Sequence, residues 1–153
     1  MDTIVDRYNK IKSNILALKS TKSVNIIAVS KTFSLAHIQP LIDYGHNHFG
    51  ENKAQEAISK WTNIKKDNKK LNLHMIGKLQ SNKAKDAVKI FDYIHSLDSQ
   101  KLADILAKTQ LNENKNLKRI NLKDNDKKIY KNICENIKQI SNCNSEYCWI
   151  TIN

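Results

Sequence analysis

Residues 24–31 read Val-Asn-Ile-Ile-Ala-Val-Ser-Lys, a short apolar run that ends on a lysine. A run so rich in Val and Ile suits a strand covered on both faces, and strands of that kind belong to parallel α/β sheets. This constrains the rest of the chain, because parallel neighbours require a crossover between them, usually a helix. The C-terminal ends of such strands are where these folds keep their chemistry. A lysine placed there can pack its stem on apolar neighbours while its amine is partly desolvated, which makes it a better nucleophile toward a carbonyl. Taken alone, the stretch favours an ordinary solvated lysine, since lysine is common at strand ends.

The remainder of the first two thirds repeats one unit. Before the strand, Tyr8, Ile11, Ile15 and Leu18 recur at three and four residues and predict a helix over 6–18. After it, Leu35, Ile38, Leu41 and Ile42 form a second stripe that closes at Gly45, a candidate C′ glycine. Pro40 lies inside that stripe, so either the helix starts near Gln39 or it carries a kink. Residues 46–50 predict a second strand, Ala54, Ala57, Ile58 and Trp61 a helix, and residues 71–76 a third strand after a polar loop over 65–70. Ser81 is the expected N-cap of a helix through Ala84, Ala87 and Val88. Residues 91–95 predict a fourth strand, and Leu102, Ile105 and Leu106 line the next helix. Strand ends near Lys31, Glu51, Gly77 and Ser96 recur about every twenty to twenty-five residues, as in a (β/α) barrel or an open parallel sheet. Right-handed crossovers would then gather Lys31, Glu51, Asn52, His74, Gln80, Ser81, Asn82, Ser96 and Asp98 on one rim.

Several classes of function are disfavoured. No glycine-rich dinucleotide fingerprint follows the first strand and no P-loop is present. The formal charge of +11 raises the question of nucleic acid, but the excess is dispersed: residues 1–109 hold 18 basic and 10 acidic side chains, residues 110–153 hold 8 and 5. The dense group Lys65, Lys66, Lys69 and Lys70 sits beside Asp67 and Asn68 and reads as a solvated loop. No apolar stretch is long enough to span a membrane and the first residues do not open like a signal peptide, so a cytoplasmic protein is expected. Cys134, Cys143 and Cys148 match no zinc spacing and are expected to be free thiols, with no metal site.

Four motifs, Ala-Val-Ser-Lys-Thr at 28–32, Phe-Gly-Glu-Asn at 49–52 with Gln55 and Glu56, His-Met-Ile-Gly-Lys-Leu-Gln-Ser-Asn-Lys at 74–83 and His-Ser-Leu-Asp-Ser at 95–99, occur in an order and spacing that resemble the pyridoxal phosphate homeostasis proteins. The resemblance covers roughly residues 1–109. It implies a partial (β/α)8 TIM barrel similar to the N-terminal domain of alanine racemase, with pyridoxal 5′-phosphate (PLP) held as a Schiff base on Lys31. It also implies a carrier or regulator of the intracellular PLP supply, without established catalysis and therefore without catalytic residues, whose partners would include PLP-dependent apoenzymes. Asn52, Ser81, Asn82 and Ser96 are the further candidate cofactor contacts, although Asn and Ser there also serve as helix caps and loop hydrogen bonders. His74 reads equally as a hydrogen-bonded core histidine.

The resemblance stops before the end of the chain. Residues 110–153 hold ten asparagines and end aperiodically, which suggests a divergent, frame-shifted or truncated second half, though Ile129, Ile133, Ile137 and Ile140 space a helix over 127–140. The family's second half carries phosphate-holding loops, so weaker PLP binding than in a full-length relative is expected. Two other readings remain open at this point: a racemase-like PLP enzyme, and a basic nucleic-acid-binding module.

Overall fold

The computed structural model describes residues 3–17, 25–115, 117, 119–120 and 147–151, the last two segments as backbone. Helix α1 (Ile4–Ala17) precedes strand β1 (Asn25–Val29), and α2 (Leu35–Asp43), β2 (His48–Glu51), α3 (Ala54–Asp67) and β3 (Asn72–Met75) follow. A 3-10 turn (Ser81–Lys83) leads into α4 (Ala84–Ile90), then come β4 (Tyr93–Ile94), α5 (Gln100–Asn112), β5 (Arg119–Ile120) and β6 (Tyr147–Thr151). All strand pairs are parallel, in the order β5-β4-β3-β2-β1-β6. The strand-helix repeat read from the spacing of apolar runs is therefore the fold, an α/β arrangement consistent with part of a barrel. The two outermost strands, β5 and β6, were not expected.

Local sequence explains the element ends. Thr3 opens α1 with a reciprocal cap: its side chain accepts from the Asp6 amide at 3.1 Å, while the Asp6 carboxylate accepts from the Thr3 amide at 2.9 Å. The Thr3 hydroxyl also donates to that carboxylate, at 2.7 Å, and this bond, with the one from the Thr3 amide, holds the Asp6 carboxyl below its usual range. Helix α2 starts at Leu35 and runs through Pro40, which overturns a start near Gln39 and leaves the proline inside the helix. Pro40 is exposed, and the missing N–H leaves the carbonyl of an exposed Ala36 to water. Gly45 closes the helix with φ +98°, its amide donating to the Ile42 carbonyl at 2.9 Å, a geometry that favours glycine. Ser81 corrects the expectation of a cap: it stands inside the 3-10 turn, and α4 begins after Lys83 with no side-chain cap bond. Ser99 does cap α5, its hydroxyl accepting from the Leu102 amide at 3.2 Å.

Alternation along the strands sorts side chains into two layers. Ala28, Phe49, Leu73 and Met75 face the helices and pack with Ile38, Leu41, Ala57, Trp61, Val88 and Leu106 in one apolar core. The opposite face begins with Ile27, Gly50 and Ile76. A Cβ on Gly50 would stand 3.1 Å from Ile27 Cγ2 and 3.0 Å from Ile76 Cδ1, so a larger residue there would have to push those two side chains back by a few tenths of an ångström. The ladder places Val29, Gly50, His74 and Tyr93 side by side across that face. The polar stretch at 65–70 is in part the solvated loop expected, since Lys69 and Lys70 are exposed in a turn, but its first half is helical. Helix α3 continues to Asp67, and Lys65 reaches down to the Asp92 carboxylate and, at 2.9 Å, to the Ile90 carbonyl. The possible helix over 127–140, Cys134 and Cys143 lie outside the described residues, and Cys148 contributes backbone only.

Candidate functional site

Strand β1 ends in a turn whose first amide bond after the strand is that of Ser30. The Phe33 amide donates back to the Ser30 carbonyl at 3.2 Å, closing a β-turn with Lys31 and Thr32 at its centre. Thr32 has φ +67°, the left-handed region that a β-branched residue rarely enters. Such a conformation costs roughly 1–3 kcal/mol and persists only where the surroundings hold it. Lys31 is half-buried. It stands two residues beyond Val29, just as Asn52 stands two beyond its ladder partner Gly50, so both lie just past the ends of adjacent strands at the same level.

Directly beneath the turn lies a polar group that the chain's spacing did not reveal. Glu51 was expected on the rim. Instead its side chain is fully buried on the helix side, where a single carboxylate oxygen, Oε1, accepts three bonds. The donors are Ser30 Oγ at 2.7 Å, Lys60 Nζ at 2.8 Å and Trp61 Nε1 at 2.9 Å. Lys60 also donates to the Ser30 carbonyl at 2.8 Å, the same oxygen that closes the turn. The other carboxylate oxygen, Oε2, has no hydrogen-bond partner among the described residues. The only sequence signal for this network was the spacing Glu51…Lys60-Trp61, which a helical wheel assigns to the buried stripe through Trp61 alone.

The remaining expected residues spread along the rim. Asn52 and Ser81 are half-buried and Asn82 is exposed. Ser96 is buried, and its hydroxyl donates to the Gly77 carbonyl, so it orders the loop after β3. Gly77 in turn rides on the Asn52 backbone: an added Cβ would lie 2.3 Å from the Asn52 carbonyl oxygen and 2.8 Å from its Cα. Backbone cannot yield as a side-chain tip can. Gly77→Ala is therefore expected to destabilise by about 2–3 kcal/mol or more, and to displace Asn52. A urea midpoint equal to that of the unsubstituted protein would show that the contact is slack. Gln80 and the exposed Asp98 belong to the same rim, Asp98 standing 3.9 Å from the Lys78 amine. Asn52, Lys53, Lys78, Gln80 and Lys83 line a cavity of about 490 Å³ outside the strand ends; Lys31, Ser81, Asn82 and Ser96 do not contribute to it.

His74 is not a rim residue. It is fully buried in β3, stacked on Tyr93 with centroids 4.2 Å apart, and its two ring nitrogens lie 2.9 Å from His48 Nδ1 and His95 Nε2. An imidazole that is neutral offers one N–H and one acceptor, so His74 donates to one neighbour and accepts from the other. Below them His46 donates from Nε2 to the His48 carbonyl at 2.8 Å, which leaves Nδ1 to accept from the Tyr8 hydroxyl at 3.2 Å. Burial pushes His46 and His95 down to about 4, and burial with the neighbouring imidazoles pushes His74 to about 2.

These rings stay neutral in the fold while the unfolded chain binds protons near pH 6.5, so their stability contribution is complete above that pH and is lost as pH falls toward 4. Each contributes a slope of about 1.4 kcal/mol per pH unit in that window. Urea midpoints are expected to fall steadily from pH 7 to pH 5, and His46→Asn to make the fall shallower; a flat profile would contradict the assignment.

No family model matches the chain. Among curated proteins it is 35% identical over 134 residues to the pyridoxal phosphate homeostasis protein of Pasteurella multocida, a match covering 82% of this chain and 58% of that protein. Among solved structures it resembles PipY of Synechococcus elongatus PCC7942 with PLP bound, at 40% identity and a TM-score of 0.67 over 76% of this chain and 52% of that one. Alanine racemase of Clostridium difficile 630 shares the fold alone, at 13% identity and a TM-score of 0.60 over 95% of this chain and 38% of that one. The chain thus spans about half the length of the relatives it matches.

Proposed function

We propose that this chain, a relative of the pyridoxal phosphate homeostasis proteins, binds PLP through Lys31 and serves the intracellular supply of that cofactor as a carrier or regulator. The observation that carries the reading is the placement of Lys31: a half-buried lysine on a hydrogen-bonded turn at the C-terminal end of a central parallel strand. PLP supplies an aldehyde, which condenses with a primary amine as a Schiff base, together with an electron-poor ring and a phosphate.

This chain's residues fit such a ligand in definable ways. Lys31 offers the amine from the turn beyond β1, and the apolar Ile27 and Ile76, which close over Gly50, suit one side of a planar ring. Asn52, level with Lys31 on the adjacent strand, offers an amide that both donates and accepts toward a ring substituent. Ser81 and Asn82 contribute from the 3-10 turn, and Ser96 acts through Gly77 on the backbone of Asn52. The partial barrel of residues 1–109 carries these groups, and the later segment adds to the sheet through β5 and β6.

In this reading the chain has no reaction of its own to accelerate. A racemase-like enzyme would need a second acid or base facing Lys31 across the ligand; of the residues expected on the rim, Glu51 is committed to the helix layer and His74 to neighbouring rings. The recipients proposed are PLP-dependent apoenzymes in the cytoplasm, and nucleic acid is not among the partners. No helix among the described residues is long and apolar enough to cross a membrane.

Titration with PLP, followed by absorbance of the bound form, tests the reading. A saturable one-to-one isotherm is expected, with each charge-assisted bond to the phosphate contributing about 1.5–3 kcal/mol to its midpoint. Linear, unsaturable uptake would contradict a site.

A further inference from the structure

Three features converge on one backbone oxygen. The Ser30 carbonyl closes the turn that carries Lys31, and it also accepts a bond from Lys60, a side chain on the far side of the sheet. Lys60 is itself bound to Glu51, whose side chain is fully buried while that of Lys60 is only 15% exposed. Glu51 in turn holds the Ser30 hydroxyl. The residue after Lys31, Thr32, is kept at φ +67°, a conformation that a threonine leaves unless it is restrained.

A buried ion pair is not needed for stability as such, since well-packed apolar residues of the same volume often do as well. Helix α3 could be anchored by Trp61 and Ala57 alone, both fully buried. What an apolar pair could not do is grip a carbonyl oxygen and a hydroxyl of the same turn residue. We infer that the Glu51–Lys60 pair is a positioning device: it clamps Ser30 from the helix layer, holds the strained Lys31–Thr32 turn, and so fixes where the Lys31 amine emerges beyond the strand end. Glu51 and Lys60 touch no ligand in this scheme. The inference rests on the reading of Lys31 as the PLP-bearing residue for its purpose, though not for its mechanics.

The test is a double-substitution cycle between Lys60 and Thr32. Lys60→Met removes the amine while keeping most of the stem, at a position that reaches the surface and so tolerates the change better than Glu51. Thr32→Gly removes the need for restraint, because glycine adopts positive φ freely. Two readouts are taken. In cofactor-free protein, the rate of reductive methylation of Lys31 with formaldehyde and cyanoborohydride is measured by peptide mapping, relative to the exposed Lys53. In a second series, PLP affinity is measured by absorbance.

Lys60→Met alone is expected to change the relative methylation rate of Lys31 at least threefold and to weaken PLP about tenfold. In the Thr32→Gly background the same substitution is expected to change either by less than twofold. A merely structural role for the ion pair would lower stability in both backgrounds alike and leave the two substitutions additive. Additive effects, or a Lys31 rate unmoved by Lys60→Met, would overturn the clamp. If the unsubstituted protein takes up no PLP at Lys31, the functional reading fails, and the methylation cycle still decides the clamp by itself.

Discussion

Lys31→Ala is expected to abolish specific uptake of PLP. Among the described lysines, Lys31 alone combines the end of a central parallel strand, half-burial and a fixed turn. The other lysines with defined surroundings are occupied differently: Lys60 with Glu51 and the Ser30 carbonyl, Lys65 with Asp92 and the Ile90 carbonyl, Lys115 with the Lys89 carbonyl. Lys115 is the serious competitor, because burial pushes its amine down to about 8 and makes it more nucleophilic at neutral pH. It lies beside Lys65, Lys89 and Asp92, away from the strand ends. Lys31→Arg is expected to fail as completely as alanine, since a guanidinium stays protonated and cannot condense with an aldehyde. Lys115→Arg is expected to leave uptake intact. The absorbance band of bound PLP in each variant checks this, and a band that survives in Lys31→Ala would move the site elsewhere.

Trp61→Ala is expected to produce the largest loss of stability. Trp61 is fully buried, its ring lies 4.9 Å from that of Phe49, and its indole N–H donates to Glu51. Truncating a buried tryptophan costs about 3–5 kcal/mol in lost contacts and residual cavity. Here the Glu51 carboxylate also loses one of its three donors. For a domain of this size, about 3–5 kcal/mol corresponds to a fall in melting temperature of roughly 6–20 °C. Trp61→Phe keeps most of the volume and loses the donor, so the difference between the two variants separates packing from the hydrogen bond. A change of only a few degrees in Trp61→Ala would mean that α3 can collapse onto β2 without it.

What was legible in the sequence depended on periodicity. Four strands and five helices could be read because burial on one face writes a period of two or of 3.6 into the chain, and the stripe through Ala54, Ala57 and Trp61 is an instance. Lys31 was legible because a run of Val and Ile stops at it. Glu51 was misplaced for a physical reason: as the last residue of β2 its alternation points it toward the helices, and a carboxylate there is invisible to a hydropathy pattern until its donors on α3 are seen. His74 was ambiguous because an imidazole suits both water and a partnered interior; the stack on Tyr93 and the neighbouring rings resolve it. Ser81 was read as a cap from its type, but the chain spends three residues in a 3-10 turn before α4 begins. Strands β5 and β6 left no trace, the first because two residues carry no period, the second because residues 147–151 follow a stretch without recurrent apolar spacing.

The central claim is that one amine, that of Lys31, carries the cofactor. Incubation of the purified chain with PLP, reduction with borohydride and peptide mapping of the product test it most directly. The account predicts a single pyridoxyl group, on the peptide containing Lys31. A label spread over surface lysines such as Lys69 and Lys70, or concentrated on Lys115, would contradict it.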